Sequence, residues 1–233
     1  MSVKLKIIVY TLVVVIIGSV GFVLHKEPDL LFANTKNNSK KTIIVDAGHG
    51  GFDGGAVVGD VFEKDINLKI ANSLSNMLRA SGFKVICTRT DDSSTESDPT
   101  ATIAARKRSD LNNRLQILKN NPDAILISIH LNKFSSASAK GAQMFYAPKI
   151  DSSKKLAECL KNSVKSQLQN ENHRTVKAGT KSTFLLYYSP IPAVIAECGF
   201  MSNPEEFSLL QTEEYQSKMA FSLLCGILKY FNT

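Results

Sequence analysis

Short apolar runs alternate with longer amphipathic segments along most of the chain. The runs are rich in β-branched and aromatic residues, as strands are, whereas the amphipathic segments repeat apolar positions every three or four residues, as helices do. The predicted strands are TIIVDAG, FKVICTR, AILISIH, GAQMFYA, FLLYY and AVIAECGF. The predicted helices cover 65–80, 103–120, about 152–169, the segment NPEEFSLL and 213–231. This alternation predicts a layered α/β domain with a largely parallel or mixed sheet.

A separate apolar segment precedes this domain. Residues 7–24 are uncharged and mostly apolar, and as a helix they would rise about 27 Å, close to the thickness of the hydrocarbon core of a bilayer. The basic residues in 1–6 favour a cytoplasmic N-terminus. We therefore predict either a transmembrane anchor or a cleaved signal peptide, followed by a polar linker over 25–41 and a catalytic domain over 42–233. Both alternatives export the domain.

Composition narrows the functional classes. Of 233 residues, 43% are hydrophobic and 21% are charged, which is typical of a globular protein. The formal net charge of +7 suits an anionic polymer, although scattered lysines do not choose among nucleic acid, phospholipid and cell wall. The four cysteines are far apart and form no CxxC pair, so we expect structural thiols rather than a disulfide framework or a cysteine zinc finger.

Four metal-capable side chains fall at the ends of the predicted elements. His49 follows the first strand within DAGHGGFDGGA, His130 ends AILISIH, and Glu197 lies near the end of the last strand. Glu63 lies at the start of the first helix. In open α/β sheets, sites collect beyond the carboxyl ends of the strands. We therefore expect these four side chains to lie close together.

The chemistry of the four side chains points to a catalytic metal. Two imidazoles and one carboxylate leave a zinc ion one open position for water, and a further carboxylate can accept the proton of that water and return it to a leaving amine. Composition and spacing alone do not decide which glutamate binds the metal. Proximity to His49 favours Glu63 as the ligand, and emergence from a buried strand before Gly199 favours Glu197 as the base.

The motifs DAGHGGFDGGA, EKDINLKIA, SIHLN and PAVIAECGFMSNPEE resemble the zinc N-acetylmuramoyl-L-alanine amidases with a His-Glu-His metal site. The resemblance covers nearly all of 42–233. It implies Zn²⁺ bound by His49, Glu63 and His130, with Glu197 as the catalytic glutamate. It also implies a twisted, mostly parallel six-stranded sheet with helices on both faces. The implied reaction is hydrolysis of the amide between N-acetylmuramic acid and L-alanine in peptidoglycan.

Within that family, the hydrophobic N-terminal segment and RKRSDLNNR before SIHLN resemble the spore-cortex amidases of endospore-forming bacteria. This narrower resemblance implies a role in cortex maturation, before muramic-δ-lactam is formed. The expected partners are peptidoglycan, the membrane through the N-terminal segment and an accessory or targeting protein, with no nucleic acid. The expected location is the cell wall, by anchoring or secretion, or the forespore intermembrane space.

Further residues could support the site. Asp46 and Asp53 flank His49 and would either orient a metal ligand or cap a turn. Arg106 and Arg114 lie on one predicted helix and could hold substrate carboxylates, or they could belong to a solvated basic helix. Asn132, just after the third strand, could touch substrate.

Two other functions use the same residues differently. Cys198 as nucleophile with His130 as base would make the chain an exported cysteine peptidase of the cell wall. A degenerate site would make it a non-catalytic domain that binds peptidoglycan or stores zinc. The first alternative leaves His49 and Glu63 without a role, and the complete set of metal and base residues argues against the second. His25 and His173 lie in polar surroundings and are expected at the surface.

Overall fold

The computed structural model of the chain describes residues 38 and 41–232. The predicted N-terminal segments, 1–6 and 7–24, lie outside the described residues, as does most of the linker over 25–41. Within residues 38 and 41–232, no helix combines the length and apolar character needed to cross a bilayer.

Six strands form one sheet in the order β4-β1-β5-β8-β6-β7, and the short β2 and β3 pair separately as an antiparallel hairpin. The first four of these strands are parallel, β6 runs antiparallel to β8, and β7 is parallel to β6. The strands are β1 Thr42–Ala47, β2 Val57–Val58, β3 Val61–Phe62, β4 Lys84–Cys87, β5 Ala124–Asn132, β6 Gln143–Tyr146, β7 Lys177–Ala178 and β8 Ala193–Phe200. The α/β fold with a mostly parallel six-stranded sheet is confirmed.

The helices form two layers. They are α1 Glu63–Ala80, α2 Ile103–Lys119, α3 Asp151–Gln167, α4 Phe184–Tyr188, α5 Pro204–Leu210 and α6 Glu213–Asn232. The long helices α1, α3 and α6 pack together, with α6 in contact with both of the others. Helices α2 and α4 instead share a buried cluster with sheet residues Ile44, Leu126 and Ile195. Because strand side chains alternate between faces, Asp46, Ser128, His130 and Glu197 point to this same α2 and α4 side of the sheet.

One predicted strand is wrong. FLLYY forms the short helix α4, whose consecutive residues Leu185 and Leu186 are both buried in the core shared with α2. In a strand these neighbours would point to opposite faces. The sixth strand is instead β7, an exposed pair of residues at the sheet edge that carries no apolar pattern by which it could be predicted.

Candidate metal centre

The structure brings the four predicted side chains to one edge of the sheet. His130 and Glu197 are register partners on the neighbouring strands β5 and β8, and His49 follows the carboxyl end of β1. Glu63 is the first residue of α1. One ligand atom from each of His49, Glu63 and His130 lies within 4.8 Å of the others. Parallel strands therefore deliver the side chains as the strand-end pattern predicts.

Both imidazoles face the Glu63 carboxylate. His49 Nδ1 lies 2.9 Å from Asp53 Oδ2, which leaves Nε2 directed at Glu63 Oε2, 3.3 Å away. His130 Nδ1 lies 3.1 Å from Glu63 Oε1. A Cβ at Gly48 would come within 2.3 Å of the His130 ring, so only glycine fits there. Two imidazole nitrogens and a carboxylate oxygen are a donor set that suits zinc.

The pKa values of His49 and Glu63 show that each group stabilises the charged form of the other. Burial would lower the pKa of His49, but hydrogen bonds to Asp53 and Glu63 raise it to about 9. Burial would raise the pKa of Glu63, but His130 and His49 hold it far below its usual range. The Glu63 carboxylate thus favours a positive charge beside His49, whether that charge is a proton on the imidazole or a metal cation.

Glu197 occupies a different environment. Burial raises the pKa of its carboxyl group above the usual range, with His130 opposing this effect and Glu63 adding to it. Its Oε2 is shielded from solvent and has no hydrogen-bond partner among the described residues. A carboxyl group with a raised pKa and one oxygen free of hydrogen bonds is suited to accept a proton. Its role as the base nevertheless stays a prediction.

Two buried arginines hold the backbone that carries His49. The His49 φ angle is 62°, a left-handed conformation that non-glycine residues seldom adopt. Arg89 donates to the carbonyl oxygens of Ala47 and Gly48, at 2.9 and 3.1 Å. Arg114 donates to the carbonyl oxygens of Ala47 and His49, at 2.9 and 2.7 Å. The side chains of distant elements therefore stabilise this local conformation.

The substrate role predicted for Arg114 is wrong. Its side chain is only 2% exposed, and besides the two carbonyl oxygens it binds the carboxylates of Asp46 and Asp110. All five guanidinium N–H groups are engaged, so none is left for a substrate carboxylate. Arg106 binds Glu96 at 2.7 Å and stacks on Phe52. Substrate contacts by Arg106 and Asn132 stay predictions.

The two aspartates have separate roles. Asp53 contacts His49 and fixes which ring nitrogen faces Glu63, which favours the ligand-orienting alternative. Asp46 is buried, and its hydrogen bonds to the described residues go to neither imidazole but to other groups. It accepts hydrogen bonds from Thr88 and Ser128 and pairs with Arg114. Asp46 therefore supports the clamp on the His49 backbone rather than the ligands themselves.

The cysteine-peptidase alternative conflicts with the structure. Cys198 is fully buried, and it points away from Glu197 because adjacent strand residues face opposite sides of the sheet. Burial raises the pKa of its thiol far above the usual range, which disfavours the nucleophilic thiolate. All four cysteines are free thiols, as expected, and His173 is exposed.

Three residues that contact the site were not predicted from the sequence. Lys107 pairs with Asp53 at 2.9 Å, Arg89 clamps the His49 backbone, and Asn67 donates to Glu63. Lys107, Asp110 and Arg114 share one face of α2 and line a cavity of about 220 Å³ beside both histidines. Their spacing of three and four residues marks that face of α2, although a helical pattern alone does not show what the face contacts.

Comparisons with known proteins point to one enzyme family. The N-acetylmuramoyl-L-alanine amidase family profile matches residues 43–229. The germination-specific N-acetylmuramoyl-L-alanine amidase of Bacillus subtilis is 36% identical over 193 residues, covering 83% of this chain and 81% of that protein. The CwlD amidase of Clostridioides difficile, solved in complex with the GerS lipoprotein, is 41% identical, with a TM-score of 0.79, covering 83% of this chain and 99% of that one. An N-acetylmuramoyl-L-alanine amidase of Clostridium difficile 630 is 30% identical, with a TM-score of 0.70, covering 83% and 97%.

Proposed function

The chain belongs to the N-acetylmuramoyl-L-alanine amidase family, and from that premise we propose that it is a zinc enzyme acting on spore-cortex peptidoglycan. The bond cleaved is the amide between the lactyl carbonyl of muramic acid and the amine of L-alanine. Similarity to a germination-specific relative supports the cortex as the substrate. Removal of the peptide would free the muramic acid for lactam formation.

The metal would be held by His49 through Nε2, His130 through Nδ1, and the carboxylate of Glu63. The fit rests on the nearness of the three donor atoms and on Asp53, which occupies the other nitrogen of His49. Bound zinc would lower the pKa of a water toward about 7 and polarise the scissile carbonyl. The glycines on either side of His49 keep bulky side chains away from this edge.

Glu197 would move the proton. Its Oε2 is unpartnered among the described residues and lies on the same sheet face as His130, and this is the single observation that carries the mechanism. We assign it to accept a proton from the attacking water and to return that proton to the departing alanine nitrogen. The raised pKa brings the carboxylate closer to the pH at which proton acceptance and release are balanced.

Replacement of Glu197 tests this mechanism. Glu197→Ala should lower the rate of cortex hydrolysis by about a hundredfold or more while zinc content stays unchanged, because the base makes no metal contact in this scheme. Mass spectrometry of the released muropeptides reports both the bond cleaved and the rate. Glu205→Ala, at an exposed position on α5, is the control. Wild-type activity in Glu197→Ala, or in enzyme stripped of divalent ions, would refute the proposal. No hydrolysis by the unaltered enzyme, with wall binding intact, would favour a non-catalytic peptidoglycan-binding protein.

We further propose export through residues 7–24 and an accessory protein in the cell. The structure of a 41% identical amidase in complex with a lipoprotein supports the accessory protein. The purified enzyme alone should then hydrolyse cortex more slowly than the same amount of enzyme supplemented with an extract of the producing cells' envelope. A full rate without any addition would contradict the need for a partner.

A further inference from the structure

Glu63 offers two oxygens to a metal, and distance does not choose between them. Oε1 lies 3.1 Å from His130 Nδ1, and Oε2 lies 3.3 Å from His49 Nε2. Each oxygen therefore borders one imidazole ligand. The number of ligands on the metal depends on whether one or both oxygens bind.

Hydrogen bonds distinguish the two oxygens. Oε1 accepts the backbone N–H of Leu131 at 3.0 Å and the side-chain amide of Asn67 at 3.1 Å. Oε2 accepts a single backbone N–H, from Ala56, at 2.9 Å. A carboxylate oxygen has two lone pairs in its plane, so two donors fill Oε1 whereas Oε2 keeps one lone pair for a metal.

Asn67 supplies the donor that makes the difference. It lies one helical turn after Glu63 on α1 and is 0% exposed. Its Nδ2 contacts two acceptors, Glu63 Oε1 and the carbonyl oxygen of Gly48 at 3.2 Å. The reverse orientation of the amide would place its oxygen against both acceptors, so the surroundings fix Nδ2 in this position.

The amide of Asn67 is retained at an energetic cost. Its Oδ1 is buried and has no hydrogen-bond partner among the described residues. A buried polar atom without a partner is unfavourable, and an apolar side chain of similar size would avoid this loss. The donor side of the amide therefore accounts for asparagine at this position.

We propose that Asn67 is a positioning residue that makes Glu63 bind the metal through Oε2 alone. One oxygen from Glu63 and one nitrogen from each histidine leave the fourth position of a tetrahedral ion open for the reacting water. Without the Asn67 donor, Oε1 regains a lone pair and can enter the metal's coordination shell. This inference rests on the proposed metal site and adds the reason why the site keeps an open position.

Cobalt substitution tests the assignment without measuring activity. Cobalt(II) absorbs visible light strongly in four-coordinate sites and weakly when a fifth ligand is added. The unaltered enzyme loaded with cobalt should show the strong band, and Asn67→Leu should reduce its intensity by about twofold or more as Oε1 joins the ion. Ser75→Ala replaces another buried polar residue of α1, away from Glu63, and should leave the band unchanged.

A weak band in the unaltered enzyme, or an equally strong band in Asn67→Leu, would overturn the inference. Circular dichroism checks that the variant is folded, and if the leucine variant does not fold, Asn67→Ala is measured by the same criterion. X-ray absorption spectroscopy of the unaltered zinc enzyme gives a variant-free test, since two Glu63 oxygens at bonding distance would also overturn the inference. Failure of the unaltered enzyme to take up either metal would instead refute the proposed metal site itself.

Discussion

At the scale of single residues, the chemistry of the site depends on how each polar group is satisfied. His49 is directed by Asp53, Glu63 receives several donors, and Glu197 Oε2 has no hydrogen-bond partner among the described residues. The sequence predicted the four principal side chains because each lies near the end of a recognisable strand or at the start of a helix. It did not predict Asn67, because the partners of a buried amide depend on atoms distant in sequence, such as Gly48.

Asp46 gives a pH-dependent test at this scale. Burial would raise the pKa of its carboxyl group, but Arg114, Ser128 and Thr88 hold it at about 2. Because the folded-state pKa lies below the ordinary value of 3.8, the ionised group stabilises the fold above pH 3.8. That contribution, about 2 kcal/mol, is lost as the pH falls through 2. Carboxyl-carbon NMR should give an Asp46 midpoint near 2, and a midpoint near 4 would contradict the buried ion pair.

At the scale of elements, α2 supports the site through buried contacts of Arg114 with the backbone at His49 and with Asp46. The sequence predicted substrate contact for Arg114, whereas its side chain contacts a buried aspartate, because an amphipathic basic helix does not reveal which groups its cations face. Arg114 meets Asp46, 68 positions away in the chain. Contacts of such range are set by the packing of α2 on the sheet and not by any local pattern.

Replacement of Arg114 should therefore act on stability first. Arg114→Met leaves Asp46 charged and buried, and we expect a loss of about 3–5 kcal/mol in the free energy of unfolding, measured by urea denaturation. Arg108→Met, at an exposed position of the same helix, should change it by about 0.5 kcal/mol or less. If the methionine variant does not fold, Arg114→Lys serves instead, because a single ammonium cannot replace the five-donor fork. A change below about 1 kcal/mol in the variant at position 114 would refute the clamp.

At the scale of the whole molecule, alternation of apolar runs and amphipathic segments was sufficient to predict the α/β class and the edge of the sheet at which the ligands meet. It failed where the pattern was too short. FLLYY has strand-like composition but packs as the helix α4, and the two-residue β7 has no apolar pattern. In both places, packing against neighbouring elements decides the conformation, and single-chain periodicity carries little information about it.

The strained turn at His49 is held by hydrogen bonds that the guanidinium groups of Arg89 and Arg114 donate to backbone carbonyl oxygens. A turn fastened by the protein itself would keep its shape when the cation leaves. A cation held by the group of His49, Glu63 and His130 could then leave and return without local unfolding of this turn.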